Sequence, residues 1–297
     1  MARRIRTHED PFLRLLLYGL PGSTKTRTAA TAAWDARTAP VLHFDIGGNT
    51  RSVDDYEKQP DRILIEAPKE LNPFFNWLRR GQPEGDGVVK QFDLQPPYKT
   101  VIIDGITGFQ RGIFASVTGN PDVAPADIPV KYERQHYGQV LRVMTNFAAH
   151  FYKLQMHVII TALERSVLVG SIDEGGYNYA SPLLLGQSST EVASEAYAVA
   201  RMFHIERLTA LDRKDIRRAT TEKAKADGLA AVPDLISIAD FRTTQFQFGK
   251  DQHLINVPRM VNPTITKMLD RMEANKRAIE SGEALVRDEE QLEDSHR

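Results

Sequence analysis

The residues whose order most directly suggests chemistry are Gly19-Leu20-Pro21-Gly22-Ser23-Thr24-Lys25-Thr26. They follow an apolar run at 12–18 and precede an Ala-rich stretch, 25–37, whose helix propensity is high. A buried strand, a tight turn and a helix N-terminus in succession aim free backbone N–H groups at one point, and the helix dipole adds positive charge there. Such a turn holds polyphosphate. Lys25 is spaced to reach the terminal phosphates and the Thr26 hydroxyl to ligate Mg²⁺, with Gly19, Pro21, Gly22, Ser23, Thr24 and Arg27 completing the expected binding set. Loops of this kind carry Gly before the lysine, because the backbone crowds the phosphates. Here the residue is Thr24, which fits only with its side chain turned away and predicts weakened nucleotide affinity.

A second candidate is Thr100-Val101-Ile102-Ile103-Asp104, an apolar strand ending in a carboxylate that can hold Mg²⁺ through water. Gly105 follows it, which argues against enzymes whose catalytic Glu directly succeeds the metal Asp. The eight histidines show no paired metal-ligand spacing, and no Gly-x-Ser-x-Gly elbow is present. For nucleic acid two regions are candidates: a hairpin at 165–185 with Tyr177 and Tyr179, and a basic segment with Arg213, Lys214, Arg217 and Arg218. Bases stack on aromatics while phosphates attract cations. Asp212, Asp215, Glu222 and Asp227 share the basic segment, so it also reads as a salt-bridged surface helix.

The elements that must position these residues follow from the apolar pattern. Nearly continuous apolar runs at 12–18, 100–103 and 157–161, with further candidates at 40–45 and 62–66, are those of strands covered on both faces. Helical patterns at 25–37, 71–80, 132–154, 189–199 and 263–281 lie between and after them, so an α/β fold with a parallel sheet and helices on both sides is expected. A hairpin, 166–172 with 177–185, turns at Asp173-Glu174-Gly175-Gly176, and strands are expected at 201–208 and 241–248. The chain divides into a basic arm at 1–10, one domain at 11–281 with a charged insertion at about 209–230, and an acidic tail at 282–297.

Composition narrows the classes. The 297 residues carry 38 Lys+Arg against 39 Asp+Glu, so no global positive field advertises nucleic-acid binding. Absence of Cys excludes disulfide scaffolds, thiolate metal sites and thiol nucleophiles. No apolar run approaches the roughly 18–20 residues of a membrane span, and a cytoplasmic protein is expected.

Taken together, the loop, Val41-Leu42-His43-Phe44-Asp45-Ile46-Gly47-Gly48 with Arg51-Ser52, the segments 101–107 and 157–161, and Phe248-Gly249-Lys250-Asp251 with Val257-Pro258 resemble a RecA-like core P-loop ATPase. The resemblance covers most of 12–271. It is to the small phage-encoded class related to single-strand annealing and recombination ATPases, with a degenerate Walker A motif. It implies a three-layer α/β fold with a mostly parallel central sheet and a late β-hairpin, ATP and Mg²⁺ as ligands, and single-stranded DNA as partner. A homo-oligomeric ring or filament, a single-strand-binding protein among the partners and a host-cell cytoplasmic location are further implications. The glutamate that activates water in such cores falls on Gly47, leaving Asp45, two residues upstream on the same side of an extended strand, as candidate base, with Glu66 and Glu164 behind it. Thr161 or Glu164 takes the γ-phosphate sensor position, and Lys250 the place of a basic finger offered to a neighbouring subunit. The expected function is DNA-stimulated ATP hydrolysis in phage-type recombination or replication. Thr24 and Gly47 favour the alternative of a nucleotide-binding structural or adaptor protein with little hydrolysis, and a DNA-packaging or remodelling ATPase is a third reading.

Overall fold

Each of the five continuous apolar runs forms a strand. The computed structural model describes residues 11–48, 50–119, 133–169, 177–207, 234–245, 247–253 and 255–283. Strands β1 (Arg14–Gly19), β2 (Val41–Ile46), β3 (Asp61–Ile65), β4 (Thr100–Asp104) and β5 (His157–Val169) are joined by β6 (Tyr177–Pro182), β7 (Ala198–Arg207), β8 (Asp234–Asp240), β9 (Lys250–Asp251) and β10 (Arg259–Val261). Their order is β10-β8-β7-β1-β5-β4-β2-β3, with β6 on β5 and β9 on β7. From β7 to β3 every pairing is parallel, whereas β6, β8 and β9 pair antiparallel with their neighbours. The strand that leads into the loop is therefore interior, and one strand, β5, separates it from the strand ending in Asp104.

Helices cover both faces, as continuous apolar strands require. Helices α2 (Leu71–Arg79), α4 (Ile106–Val117), α5 (Arg134–Tyr152) and α6 (Ser188–Glu195) pack Trp77, Phe109, Met144 and Val192 onto Leu16, Phe44, Val101 and Ile160 on one face. On the other, α1 (Lys25–Ala30) and α7 (Ile265–Ser281) bring Ala29, Ile265 and Met268 against Leu15, Leu17, Ile102 and Ile159. A short helix, α3 (Gly87–Phe92), is capped by Asp86, whose side chain accepts from the Val88 amide. The result is the three-layer α/β architecture with a mostly parallel central sheet expected from the sequence. Among the described residues no helix is long and apolar enough to cross a membrane.

Several boundaries differ from expectation. The helix expected at 25–37 ends at Ala30 and tightens into a 3₁₀ turn, Thr31–Trp34, where the Thr31 hydroxyl bonds back to the Thr28 carbonyl. The helix expected at 189–199 stops at Glu195, and Ala198 onward is sheet. The segment 241–248 is not a strand: β8 ends at Asp240, after which the Arg242 amide and guanidinium fold back onto the Asp240 carboxylate and local bonds replace a ladder. The basic arm 1–10, the turn at 173–176, the insertion with Arg213, Lys214, Arg217 and Arg218, and the tail from 284 lie outside the described residues.

Candidate nucleotide site

The loop starts where β1 is held between β5 and β7, Gly19 being register partner to Leu163 and Met202. A Cβ on Gly19 would collide with the Met202 carbonyl oxygen and crowd Ser23 Oγ, so only glycine permits the turn to leave the sheet there. Leu20, Pro21 and Gly22 form an exposed tip, while Ser23 and Lys25 are buried. The Lys25 ammonium lies inside the loop, donating to the carbonyls of Gly19 (2.9 Å) and Leu20 (2.8 Å) and to Ser23 Oγ (3.2 Å). Burial draws its pKa below the ordinary lysine value, against the opposing pull of Asp104 and Glu164.

Thr24 adopts φ +62°, ψ +14°, the left-handed region that favours glycine and is costly for a β-branched residue. Its side chain does point away from the loop. Oγ1 lies 2.7 Å from the Ser23 carbonyl oxygen and 3.0 Å from Ser237 Oγ on β8. Ser237 Oγ is in turn 3.4 Å from His204 Nδ1 on β7, and His204 Nε2 donates to the Gly22 carbonyl at 2.9 Å. His204 and Ser237 are register partners, so two adjacent antiparallel strands grip the loop at two points. The sequence motif carries no sign of this clamp.

Asp104, Thr161 and Asp45 meet through register: Asp104 on β4 is paired with Thr161 on β5 and with Asp45 on β2. Residues in register share a face, here the one covered by α1. Thr26 Oγ1 donates to Asp104 Oδ2 at 2.7 Å, and Thr161 Oγ1 donates to Oδ1. His43, fully buried on β2 two residues before Asp45, places Nε2 3.5 Å from Asp104 Oδ2. Burial pushes the Asp104 carboxyl up, but the His43 ring and the two threonine hydroxyls outweigh it and hold the group below the ordinary carboxylate range. Asp45 is likewise buried. His43 was not a candidate from the motif; strand parity with Asp45 is the signal that finds it.

The other sequence candidates are placed elsewhere. Glu164 falls on the opposite face of β5 from Thr161 and is clamped by Arg201, which donates from Nε (2.9 Å) and Nη2 (2.7 Å) to its two oxygens. Arg27 turns from the loop to Asp55 and the Ser52 carbonyl, with its guanidinium over Tyr56. Glu66 is exposed beyond the end of the edge strand β3. Lys250 pairs with Val199, three residues before the Met202 that faces Gly19, and its ammonium donates to the carbonyls of Ser194 and Ala196 at the end of α6. Tyr177 and Tyr179 stand on β6 opposite Val169 and Val167.

The donor set tests well against a magnesium nucleotide. An ammonium held at a strand-to-helix loop suits polyphosphate, and a hydroxyl 2.7 Å from an ionised carboxylate offers the hard oxygen ligands that Mg²⁺ takes alongside phosphate oxygens.

No curated protein sequence matches the chain. Solved structures give distant likenesses: a KaiC-like protein of the archaeon Pyrococcus horikoshii (14% identity, 82% of this chain and 89% of that one, TM-score 0.37) and the flagellar accessory protein FlaH of Methanocaldococcus jannaschii (11%, 86% and 88%, 0.35). The RadB recombinase is a third (10%, 80% and 84%, 0.34). The family AAA_24, described as an AAA domain, matches residues 12–230, a span holding the loop, Asp104 and Thr161, and the chain belongs to that family.

Proposed function

We propose that the protein binds ATP with Mg²⁺ at the Lys25, Thr26 and Asp104 cluster and hydrolyses it slowly. In this reading single-stranded DNA stimulates turnover, in recombination or replication of a phage-type genome, and a neighbouring subunit completes the pocket. The observation that carries it is the convergence of the Lys25 ammonium, the Thr26 hydroxyl and the Asp104 carboxylate at one end of β1 and β4. Lys25 would leave the loop carbonyls for the β- and γ-phosphates. Thr26 and Asp104 would hold Mg²⁺, which neutralises charge between those phosphates. Asp45, register partner of Asp104 on the next strand, would accept the proton of an attacking water. Thr161, bonded to Asp104, would sense whether that carboxylate holds a metal. For the strand, support comes from Tyr177 and Tyr179, which with Val167 and Val169 make an aromatic and apolar face on the β5–β6 hairpin.

One observation favours a second reading, a nucleotide-gated adaptor with little turnover: Glu164 is held by Arg201 and Gly47 has no side chain, so among the described candidates only Asp45 remains as base. Steady-state ATP turnover with and without an oligonucleotide separates them. A stimulated rate that falls about 100-fold or more in Lys25→Ala and is lost in Asp45→Asn, with nucleotide binding kept in the latter, supports the ATPase. Tight ATP binding with no turnover supports the adaptor.

A further inference from the structure

A second charged constellation lies on the sheet face opposite α1, towards the β10 edge. Arg201, Asp240 and Arg259 are register neighbours across β7, β8 and β10, so they form one row on one face. Asp240 accepts from Arg242 Nε (3.0 Å) and Nη2 (2.7 Å) and from Arg259 Nε (2.9 Å). Arg201 forks Glu164 in the same way. The exposures of the partners are unequal: the side chains of Glu164 and Asp240 are 3% and 1% exposed, those of Arg201, Arg242 and Arg259 28%, 41% and 44%. Two buried carboxylates thus hold three part-exposed guanidinium groups, Arg201 and Arg242 by two bonds each and Arg259 by one, and an approaching anion meets the cations first.

These arginines, with Phe203 and Gln247, line an open cleft of about 550 Å³, within the range of ligand sites. Phe203 supplies an aromatic wall, its ring centre 5.6 Å from the Arg201 guanidinium carbon. Gln247 also bridges to Ala180 of β6, which ties one wall of the cleft to the β5–β6 hairpin. Guanidinium forks suit phosphate, and an aromatic face accepts any base. A carboxylate metabolite would use the first and leave the second idle.

We propose that this cleft seats a nucleotide unit of single-stranded nucleic acid, its phosphate on Arg242 and Arg259 and its base against Phe203. The proposal rests on the strand-binding half of the function above and adds where the strand lies.

The test uses the full chain, a labelled oligo(dT), an abasic strand of equal length and free dTMP, with binding followed by fluorescence anisotropy and calorimetry. Oligo(dT) is expected to bind with salt-dependent affinity and dTMP far more weakly. Arg259→Ala should weaken both strands and make the dependence of log affinity on log salt shallower by about one, while Arg259→Lys restores part of the loss. Phe203→Leu should weaken oligo(dT) about tenfold and leave the abasic strand unchanged, a split that a general loss of structure does not produce. Magnesium-ATP binding, measured on each variant, reports whether the loop remains intact. Strand binding unaltered in all three variants overturns the cleft and leaves the functional reading standing. Equal affinity for dTMP and oligo(dT) overturns it in favour of a mononucleotide site. A wild-type chain that binds ATP but no strand removes both the cleft and the strand half of that reading.

Discussion

Thr24 shows how a single departure from a motif is accommodated. Left-handed backbone costs a non-glycine residue about 1–2 kcal/mol, and the bond to Ser237 recovers about 0.5–1.5 kcal/mol of it. Thr24→Ala keeps the strained φ and loses the bond, whereas Thr24→Gly loses both. Chemical unfolding should therefore rank the glycine variant above the alanine variant by about 1 kcal/mol; the opposite order would mean that the backbone at this position is not strained. Lys25, Thr26 and Asp104 were legible in the sequence because their chemistry is encoded locally, in a loop and a strand end. Arg201, His204 and Ser237 were not: His204 and Ser237 reach the loop from strands 182 and 213 residues further along the chain, and Arg201 reaches Glu164 from a different strand 37 residues on. A charged residue such as Arg201, next to the apolar run Ala198–Ala200, was the one local hint.

Among the elements, α1 is too short to hold itself and is pinned from outside. Beyond it Arg37 donates to Asp35, to Asp270 and to Glu273, tying the end of the 3₁₀ turn to α7. The Arg37 hydrogen bonds hold the Asp35 carboxyl at about 2, below the ordinary 3.8. A depressed carboxylate stabilises above its unfolded pKa, and that stability disappears as the pH falls from about 4 through about 2. With Arg37 one-third exposed, solvent screening limits the effect to about 1 kcal/mol. Urea midpoints followed from pH 5 to pH 2 should fall less steeply in Asp35→Asn than in the parent; equal slopes would show that the tie carries no stability. Apolar continuity revealed β1, β4 and β5, because strands buried on both faces cannot alternate. Helix α4 is not legible in the sequence: its Gly108 and Gly112 lower helix propensity, yet Gly112 is needed where a Cβ would lie 2.9 Å from the Pro68 ring. The alternation at 241–248 misled because Asp240 captures Arg242 and ends the ladder one residue earlier.

At the scale of the whole molecule, the proposed nucleotide cluster sits at the rim of the sheet beside the exposed tip Leu20-Pro21-Gly22, where another copy could contribute groups. If a neighbouring subunit completes the pocket, ATP turnover per chain should rise with protein concentration in parallel with the mass measured by light scattering; turnover independent of concentration would leave each chain self-sufficient. The two faces of the sheet hold different chemistry, and β5 serves both. Thr161 looks toward the proposed metal, while Glu164, three residues on, looks toward Arg201 and the cleft. The partition between the two compartments is thus a single layer of backbone. A sub-ångström slide of that one strand along its axis would register in both at once, so news of an emptied or filled triphosphate pocket would need no courier of intervening side chains.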